Sequence, residues 1–177
     1  MSRLNRLLYL IALTCAALIF GLTLSHVLAA PGSLGLSGSQ WLAVQHTFYG
    51  GFAIVGAAAE VVGLITSGIL TATALTASIK RTRHVVGAAA PLVAALCFLG
   101  TLAAYWIGNR PANAKIATWT TATLPPDWTD YRAAWELAHA VSAAFGAVAF
   151  FVLAIVLMHR IAHAPQAPRG SAGPIGE

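Results

Sequence analysis

Four long apolar segments constrain the fold of this chain more than any other feature of its sequence. They lie at about residues 7–28, 48–79, 85–107 and 135–158. Each reaches the roughly 20 apolar residues that an α-helix needs to cross a bilayer. Of the 177 residues, 58% are hydrophobic and only 8% are charged, which excludes an ordinary soluble domain. The sequence therefore predicts an all-α, integral membrane four-helix bundle, a multi-pass protein of the cell membrane with the lipid bilayer as its surroundings.

The segments between and after the spans indicate the domain organisation. We assign residues 1–163 to one four-helix transmembrane domain. Residues 164–177 are rich in Pro and Gly and are predicted to form a disordered cytoplasmic tail. The polar stretch 109–130 is predicted to be an ordered outer loop between helices 3 and 4.

The positive charges indicate how the bundle is oriented. The net charge is +5, and three basic clusters precede the first span, separate the second from the third, and follow the fourth: Arg3, Arg6, Lys80, Arg81, Arg83, Arg160 and Arg169. Under the positive-inside rule, these clusters and both termini are cytoplasmic. The loops at 31–40 and 109–130 then face outward. Basic and aromatic residues do not alternate as they do in nucleic-acid-binding proteins, so no nucleic-acid partner is predicted.

The first span has an alternative interpretation as a cleaved signal peptide, because Arg3 and Arg6 precede an apolar run that ends in small residues near Ala29. The run is long for a signal peptide, so a retained helix is favoured. Two cysteines, Cys15 and Cys97, lie well inside apolar spans and no CxxC occurs. They are predicted to be buried packing residues, which argues against a thiol-redox enzyme.

Ionisable residues inside the apolar spans point to a site. Glu136 and His139 are three residues apart, so they share one helical face. Glu60 lies about 30 Å from Lys80 at 1.5 Å per residue, near the outer edge of the hydrocarbon layer, and His26 ends the first span. Because isolated charges are costly in lipid, we expect Glu60, Glu136 and His139 to converge at the outer mouth of the bundle, with His26 beside them.

The same residues offer two kinds of chemistry. A Glu-x-x-His pair occurs in di-iron bundles, but this chain has one such pair, so at most a single transition metal ion is predicted, with His26, Glu60, Glu136 and His139 as its ligands. Alternatively no metal binds, and Glu136 and His139 form hydrogen bonds across the bundle. His26, His46 and His139 are also possible axial haem ligands.

The outer loop and its flanks carry a second group of polar and aromatic residues. Prolines, asparagines and tryptophans there are typical of an ordered lid, or of an aromatic belt at the membrane surface. The belt is the favoured interpretation for Trp41 and Trp106. Gln45, His46 and Tyr49 are predicted to lie above the membrane, in an extension of the second helix. Arg132, one turn before Glu136, is the best cationic partner for Glu60.

These motifs resemble the small membrane protein family DUF1772, which includes fungal anthrone oxygenases. The resemblance covers most of residues 1–160. It rests on His26 with Pro31-Gly32, Trp41-x-x-x-Gln45, Tyr49, Glu60, Asn109-x-x-x-Asn113, Trp119, Pro126-Asp127-Trp128 and Arg132-x-x-Trp135-Glu136-x-x-His139. It implies an oxygenase that oxidises a lipophilic, anthrone-type polyketide with molecular oxygen at the outer mouth of the bundle.

The resemblance also implies roles for individual residues. His139 is the first choice for a general base that takes a proton from the substrate, with Glu136 or Glu60 orienting it and Arg132 or Asn113 stabilising the oxyanion. The implied substrate-binding residues are Asn109, Asn113, Trp119, Trp128, Trp135, Gln45 and Tyr49. The alternative is a non-catalytic membrane protein that binds a metal, a haem or a quinone, or an accessory subunit of a membrane complex. The sequence does not indicate an oligomeric state.

Overall fold

The computed structural model describes residues 2–81 and 86–162, and all regular secondary structure within them is helical. Helix α1 (Arg3–Ser33) is followed by α2 (Gly38–Phe48), α3 (Gly50–Arg81) and α4 (Val86–Ala104), then by a π-helical turn (Tyr105–Asn109), α5 (Arg110–Ile116) and α6 (Trp128–Ala162). The predicted all-α four-helix architecture is confirmed. The predicted disordered tail, together with Arg83 and His163, lies outside the described residues.

Four stretches are long and apolar enough to cross a membrane: Arg3–Ser33, Gly50–Ala77, Ala88–Ile116 and Trp128–Ala162. Large apolar side chains cover their outer faces, and more than half of the surface of Ile65, Leu96, Phe151 and Ile155 is exposed. Such a surface would favour aggregation in water but suits a hydrocarbon environment. These features are those of a multi-pass membrane protein.

The four long helices pack in a ring, with α1 against α3 and α6, and α4 against the same two helices. Between them lie a few large side chains, among them Tyr9, Ile19, Phe98 and Leu153. The remaining core positions are mostly small, namely Ala12, Cys15, Ala16, Ala59, Ala94, Cys97 and Ala149. Small residues allow close approach of helix backbones where lipid provides no hydrophobic driving force. The predicted burial of Cys15 and Cys97 is confirmed, and both thiols are free.

Gly146 marks a close crossing of two helix backbones, where α6 lies against α1. A Cβ atom at Gly146 would lie 3.0 Å from backbone atoms of Phe20, whereas one at Gly68, also within a helix, would meet nothing within 4 Å. We expect Gly146→Ala to destabilise the bundle by about 1–3 kcal/mol, because backbone cannot move aside as a flexible side chain can. Gly68→Ala should stabilise it by about 0.5–1 kcal/mol through helix propensity. Unfolding in detergent, followed by circular dichroism, measures both changes. Equal effects of the two substitutions would contradict this packing.

The helices extend further than the apolar segments. Asn109 and Asn113, predicted to lie in the outer loop, are helical because α4 continues through the π-helical turn into α5. Helix α5 begins at Arg110, directly after the π-helical turn, so Pro111 lies in its first turn. A proline is tolerated there because no backbone N–H is required. Helix α6 likewise begins at Trp128, seven residues before the predicted start of the span.

Helix α2 is separate from α3, so the prediction that Gln45, His46 and Tyr49 extend the second membrane helix is wrong. Tyr49 terminates α2 directly before Gly50 and Gly51, residues that weaken helix continuity. At its other end, a capping box between Ser37 and Gln40 fixes the start of α2. The helix therefore folds over the outer mouth instead of standing above it.

A second hydrophobic core covers the outer mouth, and we call it the outer cap. It contains Trp41, Leu42, Ala112, Ile116, Trp119 and Trp135, with Leu36, Tyr49, Leu124, Trp128 and Tyr131 packed around them. Trp41 is only 1% exposed, so its interpretation as a belt residue is wrong, whereas Trp106 is 58% exposed. Residues 117–127 form the ordered outer loop, held in part by hydrogen bonds between Thr120 and Thr123.

The orientation in the membrane is still a prediction, and cysteine labelling tests it. Because the basic clusters are predicted to be cytoplasmic, a membrane-impermeant maleimide added from outside should label cysteines introduced at Ser37 and Thr123 but not at Ser78. The Cys15→Ala, Cys97→Ala background removes the native thiols. Labelling of the Ser78 position in intact cells would reverse the topology.

Candidate functional site

A cavity of about 480 Å³ lies inside the outer half of the bundle, beneath the outer cap. Its volume is within the roughly 300–1,000 Å³ of sites for small organic ligands. Polar groups in its walls come from α1, α2, α3, the π-helical turn, α5 and α6: Thr23, His26, Gln45, His46, Tyr49, Glu60, Tyr105, Asn109, Asn113, His139 and Ser142. The apolar walls include Phe52, Leu102, Trp106 and Trp135.

Two imidazoles meet in this cavity. The ring centroids of His26 and His139 are 4.1 Å apart. His26 is 6% exposed and also packs against Tyr49, Phe52 and Trp135, at centroid distances of 4.6, 5.4 and 4.8 Å. The expectation that His26 joins the polar residues at the mouth agrees with this arrangement. The alternative, an imidazole hydrated at the membrane surface, does not.

The orientation of His139 is set by the backbone of its own helix. His139 Nδ1 lies 2.8 Å from the Trp135 carbonyl, which can only accept a hydrogen bond, so the proton is on Nδ1. The Asn109 amide nitrogen is also 2.8 Å from Nδ1. The Asn109 amide could donate to Nδ1 of His139 only if the proton were on Nε2. In that tautomer the lone pair of Nδ1 would also face the Trp135 carbonyl oxygen, which is unfavourable. In the favoured tautomer Nε2 of His139 is unprotonated and able to accept a proton.

The π-helical turn explains why Asn109 reaches this position. Asn109 is 4% exposed and donates to the Trp135 carbonyl at 3.1 Å, so the same carbonyl holds Asn109 and His139 together. Next to it, Gly108 lies so close to α6 that a Cβ atom would be 2.6 Å from the Cβ of Ala138. π-Helical turns are rare and are frequently found at functional sites. The turn therefore fixes one wall of the cavity against α6.

Glu60 lies at the deep end of the cavity. It is eight residues, or about 12 Å along α3, beyond Phe52, and is 9% exposed. The side chain of Thr101, which is fully buried, is its hydrogen-bonding neighbour. Glu60 and His139 therefore share the cavity but lie at different depths, with Glu60 nearer the middle of the bundle.

Trp135 and Asn113 connect the cavity to the outer cap. The indole N–H of Trp135 donates to Asn113 Oδ1 at 2.9 Å, so the amide group of Asn113 keeps its two N–H donors for a ligand. Tyr49 lies nearby, with its ring centroid 5.4 Å from that of Trp135. Burial, and secondarily the negative charge of Glu136, raises the pKa of the Tyr49 phenol, so this hydroxyl stays protonated at neutral pH and can donate.

Glu136 and Arg132 lie outside the cavity. Glu136 accepts a hydrogen bond from the Ser33 hydroxyl, and Arg132 donates to the Ser33 carbonyl at 3.1 Å while stacking on Trp128. Residues three apart on a helix differ by about 60° in direction, and this angle turns Glu136 towards α1 while His139 faces the cavity. Arg132 therefore does not pair with Glu60, and Glu136 does not join Glu60 and His139.

The predicted four-ligand metal set is not assembled. Within residues 2–81 and 86–162, no group of three or more His, Cys, Asp or Glu side chains is arranged to hold a metal ion. His26, Glu60 and His139 share the cavity, but Glu136 does not line it and instead accepts a hydrogen bond from Ser33. Haem ligation by His26 and His139 does not fit either. An iron between two imidazoles holds their nitrogens about 4 Å apart and the ring centroids further, whereas these centroids are separated by 4.1 Å.

Most of the implied substrate-binding residues line the cavity, namely Gln45, Tyr49, Asn109, Asn113 and Trp135. Trp119 and Trp128 instead belong to the outer cap, where Trp119 packs on Tyr131 and Trp128 packs on Trp41. The sequence patterns did not predict Phe52, Tyr105 or Ser142 as lining residues. Phe52, three residues after Tyr49, and Ser142, three residues after His139, could have been found from helical spacing, whereas Tyr105 precedes a segment predicted to be a loop.

No known protein family, curated protein or solved structure matches this chain. The resemblance to DUF1772 is therefore a hypothesis that depends on the residues quoted for it. The site defines the chain only as a multi-pass membrane bundle with a ligand-sized cavity in which two histidine rings meet.

Proposed function

We propose that this protein is an oxygenase of the cell membrane that oxidises a lipophilic, anthrone-type aromatic substrate with molecular oxygen in the outer cavity. One observation carries the proposal above all. An apolar cavity large enough for a flat polycyclic molecule contains the half-buried His139, whose Nδ1 is fixed by a carbonyl and whose Nε2 is left to act as a base. A fixed imidazole in an apolar site is suited to general base catalysis.

The walls suit a flat substrate with oxygen atoms on its edges. Aromatic rings of Phe52, Trp106 and Trp135 provide faces for stacking. The Asn113 amide and the Tyr49 hydroxyl provide donors near the outer end, and Glu60 provides a hydrogen-bonding group at the deep end. Polar groups at the two ends of the apolar cavity would orient the substrate along α3.

The first chemical step is a proton transfer. His139 Nε2 takes a proton from the central methylene of the anthrone, and the electron pair moves to the carbonyl oxygen, where Asn113 can stabilise the negative charge. The electron-rich anion then reacts with oxygen. Overall, one anthrone and one O₂ give one anthraquinone and one water, so the carbon is oxidised by oxygen without another reductant. The site does not require a metal ligand set for the proton transfer.

A non-catalytic quinone-binding function is the second candidate. The Asn113 amide and a protonated Glu60 carboxyl, at the two ends of the cavity, would also donate to the two carbonyl oxygens of a quinone. Such a protein would bind the quinone but would not accelerate the oxidation of an anthrone.

Turnover in a defined membrane separates the two functions. The purified protein in phosphatidylcholine nanodiscs is mixed with 1,8-dihydroxyanthrone, and oxygen uptake and quinone absorbance are followed together. We expect saturable quinone formation with one O₂ consumed per quinone, well above the rate in protein-free nanodiscs. If the protein binds 1,8-dihydroxyanthraquinone but does not accelerate the oxidation of 1,8-dihydroxyanthrone, the oxygenase proposal is contradicted and the quinone-binding function is favoured.

A further inference from the structure

The cavity is partly open, and a group of its exposed lining residues lies within two of the stretches that can span the membrane. Its rim combines Ala53, Ala57 and Val61 of α3 with Tyr105 and Trp106 of the π-helical turn. All five residues are exposed, and all five line the cavity. We call this opening the lateral slot.

The cavity is covered towards the outside of the membrane. The outer cap packs over the ends of the helices with its own hydrophobic core, in which Trp41 and Leu42 are almost fully buried. His46 Nε2 of α2 donates to the Ile116 carbonyl of α5 at 3.1 Å, which joins the two short helices across the outer end of the slot. Entry through the cap would have to separate these packed groups.

The slot arises from how the π-helical turn packs. The turn lies against α5 and α6, and the absence of a side chain at Gly108 allows its close contact with Ala138. The facing surface of α3 carries small residues, Ala53, Gly56 and Ala57, that do not fill the space left beside the turn. The α3 wall of the slot is therefore formed by small side chains, and the opposite wall is formed by the rings of Tyr105 and Trp106.

We propose that the lateral slot admits flat aromatic molecules dissolved in the bilayer and carries them to the His26–His139 pair. This proposal rests on the proposed function for the class of ligand. The small residues on α3 set the thickness of molecule that passes, and the two aromatic rings favour molecules that can stack. Because the rim lies in the membrane-spanning stretches, a molecule reaches the slot only after it partitions into lipid.

Probe binding tests the slot without any turnover. The protein in phosphatidylcholine nanodiscs is mixed anaerobically with 1-aminoanthracene, a flat three-ring fluorophore, and energy transfer from the tryptophans reports occupancy. Wild type should show saturable transfer. Ala57→Phe and Ala53→Phe narrow the slot and should weaken binding or slow association by about tenfold or more. Ala58→Phe is the matched control because Ala58 is exposed on the same helix but does not line the cavity.

Anthracene-1-sulfonate tests the route, because its anionic group keeps it out of hydrocarbon. We expect it to give no saturable transfer. The proposal is overturned if the sulfonate binds as fast as 1-aminoanthracene, if wild type shows no saturable transfer, or if Ala57→Phe and Ala53→Phe both behave like Ala58→Phe. Unchanged thermal unfolding of the variants shows that each is folded, as expected for substitutions at exposed positions.

The slot and the proposed function fail separately. If the protein binds the probe through the slot but does not oxidise 1,8-dihydroxyanthrone, the entry route is supported and the oxygenase function is contradicted. If both Ala57→Phe and Ala53→Phe oxidise the anthrone at the wild-type rate, the oxygenase function is supported, and the lateral slot is not the entrance for the substrate.

Discussion

Substituting His139 by alanine should lower the rate of anthrone oxidation by about 10²- to 10⁴-fold, the usual effect of losing a general base. His139 is the imidazole in the cavity whose Nδ1 is held by the Trp135 carbonyl and whose Nε2 is free to take a proton. Without it, the substrate can still bind between the aromatic walls, but only water or hydroxide can take the proton. Quinone absorbance in nanodiscs measures the rate.

His159→Ala is the control for this substitution. His159 lies on the same helix near its other end, is exposed, and does not line the cavity. It should turn over at the wild-type rate. A folded His139→Ala protein with full turnover, judged by unchanged circular dichroism and thermal unfolding, would remove His139 from the mechanism.

Substituting Trp135 by alanine should have the largest effect on stability, lowering the free energy of unfolding by about 3–5 kcal/mol. Trp135 is 5% exposed and packs against His26, Tyr49 and His139. Its indole also donates to Asn113, so the substitution removes a large buried side chain and a hydrogen bond between α6 and α5. Unfolding by dodecyl sulfate in mixed micelles, followed by circular dichroism, gives the change.

Trp106→Ala provides the comparison for stability. Trp106 is 58% exposed, and its ring contacts Tyr105 and Arg110 at the bundle surface, so its removal should cost less than about 1 kcal/mol. Equal destabilisation by the two substitutions would show that Trp135 does not join the outer cap to the bundle as the structure indicates.

The fold could be predicted from the sequence because lipid imposes a simple rule. Only helices satisfy every backbone group within the bilayer, and four apolar segments of sufficient length leave few alternatives to a bundle. The ends of the helices could not be predicted as well. Hydropathy marks the stretch that contacts lipid, whereas backbone hydrogen bonding continues beyond it, from Trp128 in α6 and as far as Ile116 in α5.

The site could be predicted only in part, because spacing gives the height of a residue but not the rotation of its helix. The structure brings His26, Glu60 and His139 into one cavity, as their spacing indicated, but Glu60 lies deeper in it than His139. Rotation turned both Glu136 and Arg132 to Ser33 of α1, which no pattern in the sequence specifies. The π-helical turn adds a residue to one turn and so rotates the next part of the helix, and its effect on Asn109 is invisible to a 3.6-residue periodicity.

The central claim is that the cavity removes a proton from a bound anthrone, and an anaerobic absorption spectrum tests it most directly. 1,8-Dihydroxyanthrone is added under nitrogen to the protein in nanodiscs at pH 7, and the long-wavelength band of its anion is measured before oxygen is admitted. We expect that the anion forms on wild-type protein, that it does not form on His139→Ala, and that oxygen converts it to the quinone. A bound anthrone that stays neutral on the wild-type protein would contradict the proposed proton transfer.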